Sequence, residues 1–287
     1  MSRDLPRLLK RLARYRRAVR RRGLTRLLAR QRKRALVAEL AQAWPGGYVP
    51  TGDGMLAFIP APLDRQGERV MFYGWSAHPA ALAFAPPGGV AIDVGANLGE
   101  WSVPLATAVG PAGTVLAVEP NPIVADALSR TLRINHLAHA VVVSAALSDR
   151  DGDGVLHVEP ADTGLSRLAD GGGLPVILRR LDTIVVEARL ARLDLVKIDV
   201  EGHERAVLAG AEAALRRFRP AIVFESGHET AGDRTVITTL LAELGYQLVA
   251  VLHDYGALAC TEDDYRNATA ACAGREARNI LALPRLN

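Results

Sequence analysis

From residue 90 onward, short apolar runs alternate with longer amphipathic stretches. Runs at 90–94, 114–118, 141–147, 195–200, 221–224, 248–252 and 279–283 predict strands. Stretches at 100–109, 123–137, 204–218 and 236–244 carry helical periodicity. Strands that are apolar throughout are covered on both faces. With helices between them they predict a doubly wound, mostly parallel α/β sheet of the Rossmann-like kind, here with seven strands. Residues 152–192 break the rhythm with a hairpin-like insertion containing Gly171-Gly172-Gly173. Upstream, Pro45-Gly46-Gly47 marks a boundary. Residues 45–88 then read as a cover in front of the main domain, with a strand-like piece at 55–59. Before the boundary, Leu5, Leu8, Leu9, Leu12 and Val19 recur at helical spacing among arginines. Gly23 interrupts that pattern, and Thr25 is placed to cap a second helix reaching about Trp44. The predicted organisation is a helical arm over 1–44 and one α/β domain over 45–287.

Charge sharpens this division. Residues 1–40 hold 15 basic side chains and two acids, Asp4 and Glu39, for a net +13. The remainder carries −9, which leaves the chain at +4. An acidic domain thus carries a basic arm. Leucines on one side of a helix and arginines around the rest fit an interfacial anchor on an anionic membrane surface. They fit equally well a face that packs on the domain or on a second copy in a homodimer. No apolar run approaches the roughly 20 residues needed to span a bilayer. The charged start lacks the apolar segment of a secretory leader. Two cysteines, Cys260 and Cys272, match no zinc pattern. The expectation is a cytoplasmic protein, peripheral at most to the inner membrane face. Its preference for arginine over lysine and its many alanines suit GC-rich bacterial coding.

The sharpest local signal is Ala91-Ile92-Asp93-Val94-Gly95-Ala96-Asn97-Leu98-Gly99: an apolar strand, a glycine turn, then a helix. In a doubly wound sheet, ligands bind at such strand ends. The next strand closes with Val118-Glu119-Pro120-Asn121, which puts a carboxylate 24 residues after Gly95, where it can accept from both hydroxyls of a ribose. The dinucleotide pattern G-x-G-x-x-G is broken at Asn97, so no pyrophosphate clasp is present. S-adenosyl-L-methionine has no phosphates and tolerates that loss, and Asp93 can offset its ammonium. The plainer reading of Asp93, that it only satisfies loop amides, stands beside this one.

At this point the chain resembles the FkbM family of S-adenosylmethionine methyltransferases. The resemblance is carried by the two stretches above and by Ala146-Leu147-Ser148-Asp149, Leu181-Asp182-Thr183-Ile184, Leu195-Val196-Lys197-Ile198-Asp199-Val200-Glu201-Gly202-His203-Glu204, Val207-Leu208-Ala209-Gly210 and Ile222-Val223-Phe224-Glu225. These fall in family order over about residues 88–226. The resemblance implies a class I methyltransferase fold and O-methylation of a hydroxyl on a sugar, glycolipid or secondary metabolite. It implies cofactor contacts at Asp93, Gly95, Ala96, Asn97, Gly99, Glu119, Pro120 and Asn121, with Ser148 and Asp149 beside the adenine. Ser166 corresponds to a serine of the family's insertion. Family members often have an aromatic stretch closed by a glutamate before the first strand. Here Phe72-Tyr73-Gly74-Trp75-Ser76-Ala77-His78 lacks the acid.

A hydroxyl is a poor nucleophile until it loses its proton, so a base near the methyl group is expected. Asp199, Glu201 and Glu225 stand at strand ends facing the cleft. Asp199 is favoured as base or acceptor-orienting group, with Glu225 in support. Glu201 reads equally as a residue that complements the following helix dipole. His203 reads as structural. His228, His253 and Asp254 lie on later loops of the same face. A cation between Asp199 and Glu225 is conceivable, but the spacing requires none, so no metal is assigned. The alternative function is methylation of RNA or another nucleic acid through the basic arm. Against it, the slot after the fourth strand holds two acids, and aromatic residues are only 5% of the chain. A non-catalytic cofactor-binding protein is a third reading, disfavoured by the joint presence of Asp93, Glu119 and Asp199.

Overall fold

The computed structural model describes residues 10–11, 26–227, 229–253, 256–268 and 278–285. Most of the basic arm lies outside these residues, as do His228, Asp254 and Cys272. Of the arm, Arg11 forms an ion pair with Glu39, which stands on helix α1 (Arg26–Ala43).

The described chain builds an α/β domain around a mixed sheet. Strands β1 (Gly47–Pro50) and β2 (Leu56–Ile59) form an antiparallel hairpin, followed by α2 (Arg65–Tyr73) and α3 (Pro79–Leu82). Then come β3 (Val90–Val94), α4 (Ser102–Val109), β4 (Thr114–Val118), α5 (Pro122–Ile134), β5 (Ala140–Val143) and β6 (Ala146–Leu147). The insertion supplies β7 (Gly152–His157), β8 (Arg167–Ala169), β9 (Leu174–Arg179) and α6 (Leu181–Glu187). The second half runs β10 (Leu195–Ile198), α7 (Glu204–Ala209), α8 (Glu212–Phe218), β11 (Ala221–Ser226), α9 (Ala231–Glu243), β12 (Tyr246–His253), β13 (Gly256–Ala259), α10 (Glu262–Arg266) and β14 (Arg278–Pro284).

The main sheet has the order β13-β12-β14-β11-β10-β3-β4-β5. Strands β5, β4, β3, β10 and β11 are parallel, and β14 runs antiparallel between β11 and β12. The seven expected strands are all present, and β13 adds an eighth at the edge, folded back on β12. It is short, and its four residues, Gly256-Ala257-Leu258-Ala259, are mostly exposed, so nothing in their pattern marked a strand. Strand order reverses between β3 and β10, and this switch point fixes where a ligand can enter.

Alternate residues of the central strands feed two cores. Ile92, Val94, Val196 and Ile198 pack with Val207, Leu208 and Leu241 on one face. Ala91, Val115, Leu195 and Val223 pack with Leu105 and Leu128 on the other. The cover has a core of its own, in which Leu40, Ile59 and Met71 meet Leu98 and Val124. It is also stitched to α5: the Leu56 and Phe58 amides donate to Asn135 Oδ1 and Thr131 Oγ1, both at 2.9 Å.

Two expected elements divide. The run 141–147 splits, because β6 leaves the main sheet to pair with β9 in a separate sheet of order β6-β9-β7-β8. The helix expected over 204–218 breaks at Gly210, where a Cβ would lie 2.0 Å from the Ser148 carbonyl oxygen. Asp182 then caps the resumed helix, accepting from the amides of Ala213 at 3.2 Å and Ala214 at 2.8 Å.

Candidate active site

A cavity of about 690 Å³ opens at the carboxyl ends of β3, β4, β10 and β11. One wall comes from the sheet: Asp93, Asn97, Glu119, Asp199, Glu201 and Glu225 all line it. The facing wall comes from the cover and the insertion, through Gln66, Arg69, Tyr73, Gly164, Ser166 and Arg167.

The glycine turn is held rigidly. The amides of Gly95 and Ala96 both donate to the Val118 carbonyl at 3.0 Å. Gly95 has φ +77°, and a Cβ there would lie 1.7 Å from the carbonyl oxygen of Asp199. The glycine is therefore needed for contact with the chain itself, and it also lines the cavity. Glu119 is buried; its two oxygens accept from the amides of Asn97 at 2.9 Å and Asn121 at 2.8 Å. Burial pushes the Glu119 carboxyl up to about 7 against the pull of those two amides. Each oxygen retains capacity for a further donor. The side-chain oxygen of Asn97 is buried with no hydrogen-bond partner among the described residues. Asp93 accepts from the Ser102 hydroxyl at 2.5 Å, and burial raises its carboxyl to about 6.

The second acid group is arranged around a buried cation. Lys197 is fully buried; its ammonium donates to Asp199 Oδ2 and to the Ile198 carbonyl, both at 3.1 Å, and lies 5.3 Å from the centre of the Trp101 ring. Burial opposes ionisation of Asp199, but Lys197 and a hydrogen bond from Glu225 outweigh it and hold this carboxyl below the ordinary range. Burial and the neighbouring Asp199 charge push Glu225 up to about 10. The pair thus shares one proton, carried by Glu225. Glu201 has φ +54°, and burial with the nearby Asp199 charge raises it to about 7. Oxygens of Asp199, Glu201 and Glu225 lie within 4.8 Å of one another, a spacing a divalent ion could use. Lys197 already supplies the positive charge at Asp199.

A model of the FkbM methyltransferase domain matches residues 93–248. The chain belongs to the FkbM methyltransferase family. It is accordingly an S-adenosylmethionine-dependent methyltransferase. It is 30% identical over 198 residues to the 31-O-demethyl-FK506 methyltransferase FkbM of Streptomyces tacrolimicus, covering 57% of this chain and 75% of that one. Over 134 residues it is 29% identical to the hexuronic acid methyltransferase AglP of Haloferax volcanii, covering 46% of this chain and 53% of that one. A solved structure of methyltransferase FkbM from Methylobacillus flagellatus KT matches with a TM-score of 0.46 at 19% identity, over 68% of this chain and 43% of that chain.

Within this family member, Ala96 and Pro120 also line the cavity, whereas Gly99, Asn121, Ser148 and Asp149 do not. Gly99 packs against Leu128, and the Asn121 side chain caps α5 by accepting from the Ile123 amide at 3.1 Å. The Ser148 hydroxyl lies 3.0 Å from Nε2 of His203, and it is His203 that reaches the cavity. Burial lowers the His203 imidazole below its usual range. The helix-opening role considered for Glu201 belongs to Glu204, whose Oε1 accepts from the amides of Val200 and Gly202, both at 3.2 Å. His253 is buried on β12 and does not line the cavity; its carbonyl meets Nε2 of His78 at 3.1 Å.

Several cavity residues escaped the sequence reading. Glu100, directly after the glycine turn, lines the cavity, and its carbonyl accepts from the Ser76 amide of the aromatic stretch at 3.3 Å. Gln66, Arg69 and Asn279 carried no signal. Lys197 did carry one: a lysine inside an apolar strand needs a counter-ion nearby. Among the described residues, no helix is long and apolar enough to cross a membrane.

Proposed function

We propose that the enzyme methylates a hydroxyl group of a small-molecule or glycan acceptor. The observation that carries this reading is the meeting, in one cavity, of the Asp93–Glu119 strand ends with the Asp199, Glu201 and Glu225 acids. Two relatives bear names that point the same way, one an O-demethyl substrate and the other a hexuronic acid. When bound, S-adenosylmethionine supplies an electrophilic methyl group. The residues fit this cofactor. Each Glu119 oxygen accepts one amide and has capacity for a ribose hydroxyl as well, Asn97 offers an unused buried acceptor, and Asp93 faces the same space. A cavity of this volume falls in the usual range for small-molecule sites, roughly 300–1,000 Å³.

On the acceptor side, Asp199 is ionised and is the natural hydrogen-bond acceptor for the reacting hydroxyl. Its depressed pKa makes it a poor proton sink, so its role is orientation. Glu201 titrates near neutral pH, where a general base works best, and receives the proton. Protonated Glu225 donates to Asp199 and fixes its carboxylate.

Calorimetry tests the cofactor half. Glu119→Ala should weaken S-adenosylmethionine binding by roughly 1.5–3 kcal/mol, the range for hydrogen bonds to a charged group. Unchanged affinity would remove Glu119 from the ribose site. The proton-transfer half is read from pH profiles. A base must be ionised to act, so wild-type turnover should rise as pH passes about 7, the value to which Glu201 is raised. In Glu201→Gln that rise should flatten and the rate at its plateau fall. A profile that keeps its inflection would assign it to another group.

A further inference from the structure

We propose that the acceptor is anionic, its negative group bound by Arg69 and Arg167, with a neighbouring hydroxyl donating to Gln66. This specifies the acceptor of the methyltransferase reading above and rests on it. Its chemical class is a hydroxyl-bearing carboxylate or phosphate, such as an acidic sugar.

All three residues line the cavity, and they come from the cover and the insertion while Asp93 and Glu119 come from the sheet. Gln66 and Arg69 are three apart on α2 and share a helix face. Arg167 opens β8, in a different segment. Gln66 is only 5% exposed; its amide nitrogen donates to Glu100, and its Oε1 is buried with no partner among the described residues. Burying an unpaired acceptor is unfavourable, so a donor belongs there, and a ligand hydroxyl supplies one. Gly164 keeps the approach open: a Cβ at that position would lie 3.1 Å from Gln66 Oε1.

Arg69 and Arg167 are exposed residues whose side chains line the same cavity. Some arginines elsewhere pair with carboxylates, as Arg192 does with Asp194 at 2.5 Å and Arg285 with Glu262 at 2.9 Å. Among the described residues, neither Arg69 nor Arg167 has a side-chain hydrogen bond or an ion pair within 4.0 Å, although six carboxyls line the same cavity. The charge of Arg69 is nonetheless felt at Asp199 and Glu100, which places it near the reacting acids. A planar guanidinium suits a carboxylate or phosphate group.

The test uses the full chain saturated with S-adenosylhomocysteine, titrated calorimetrically with glucuronate, glucose 6-phosphate and glucose. The expected result is that at least one anionic sugar binds about tenfold or more tightly than glucose, the size of one charge-assisted hydrogen bond. Which of the two does so separates the carboxylate from the phosphate source. The advantage should shrink at high salt, and should disappear in both Arg69→Gln and Arg167→Gln. Equal binding of all three sugars, or binding of none, overturns the proposal. So does an arginine variant that loses S-adenosylhomocysteine affinity while keeping the sugar preference, since that assigns the guanidinium to the cofactor. Methyl transfer to a neutral hydroxyl compound alongside equal sugar binding would overturn the anionic acceptor and leave the methyltransferase reading intact. Failure of the wild-type chain to bind S-adenosylhomocysteine would count against that reading instead.

Discussion

Asp199→Asn is expected to lower turnover by about 10²-fold, the scale on which losing the group that orients a reacting hydroxyl slows a reaction. Cofactor affinity should stay nearly intact, because Glu119 and the glycine turn lie on other strands. The substitution also strips Lys197 of its counter-charge, and Lys197 is fully buried. Breaking a buried pair from one side costs about 3–5 kcal/mol, so the single variant should also melt earlier. The double variant Asp199→Asn with Lys197→Met removes both charges. It should recover most of the lost thermal stability while remaining slow. Recovery of rate along with stability would show that Asp199 serves the fold alone. Because the Lys197 ammonium already supplies positive charge at Asp199, EDTA should leave the wild-type rate unchanged, and a loss of rate would place an ion on Asp199, Glu201 and Glu225 instead.

Gly95→Ala should be worse for the fold than any change to the acids. The added methyl would sit 1.7 Å from a backbone oxygen, at φ +77° where an L side chain is already strained. Neither side can give way cheaply. The turn is pinned to Val118, and the Asp199 amide is tied to the Val94 carbonyl at 3.0 Å. We expect a loss of roughly 4 kcal/mol or more, in the range reserved for steric and backbone failures. Soluble protein should be scarce, and any that is recovered should melt well below wild type. A variant with unaltered melting and cofactor affinity would show that the turn and the Asp199 loop are not in contact.

The parallel core was legible because its strands are apolar without alternation, which only a sheet covered on both sides explains. The acids at the strand ends were legible because their positions follow from the strands. What escaped depends on contacts between distant segments. Periodicity does not see the carbonyl of Ser148 pressing on Gly210, so the helix broken there read as one. The run 141–147 read as one strand because β5 and β6 are equally apolar and differ only in which sheet they join. The glycine of the turn was found, but not the atom that crowds it, the carbonyl oxygen of Asp199. Gln66 and Arg69 sit on an amphipathic helix like many others, and only the facing insertion gives them a purpose.

That facing arrangement has a practical side. Asp64 caps α2 by accepting from the Gly67 amide at 2.7 Å, and its other oxygen accepts from the Thr163 amide of the insertion at 2.8 Å. The Arg65 amide in turn donates to the Ala161 carbonyl at 2.9 Å. Segments a hundred residues apart are thereby clamped together by one carboxylate and one peptide bond. Grafting a relative's insertion alone onto this scaffold would leave Asp64 and Arg65 facing the wrong partners, and a swapped cover would do the same to Thr163. The unit that can be exchanged to change acceptor preference is the pair, moved together, while the sheet and its cofactor turn remain in place.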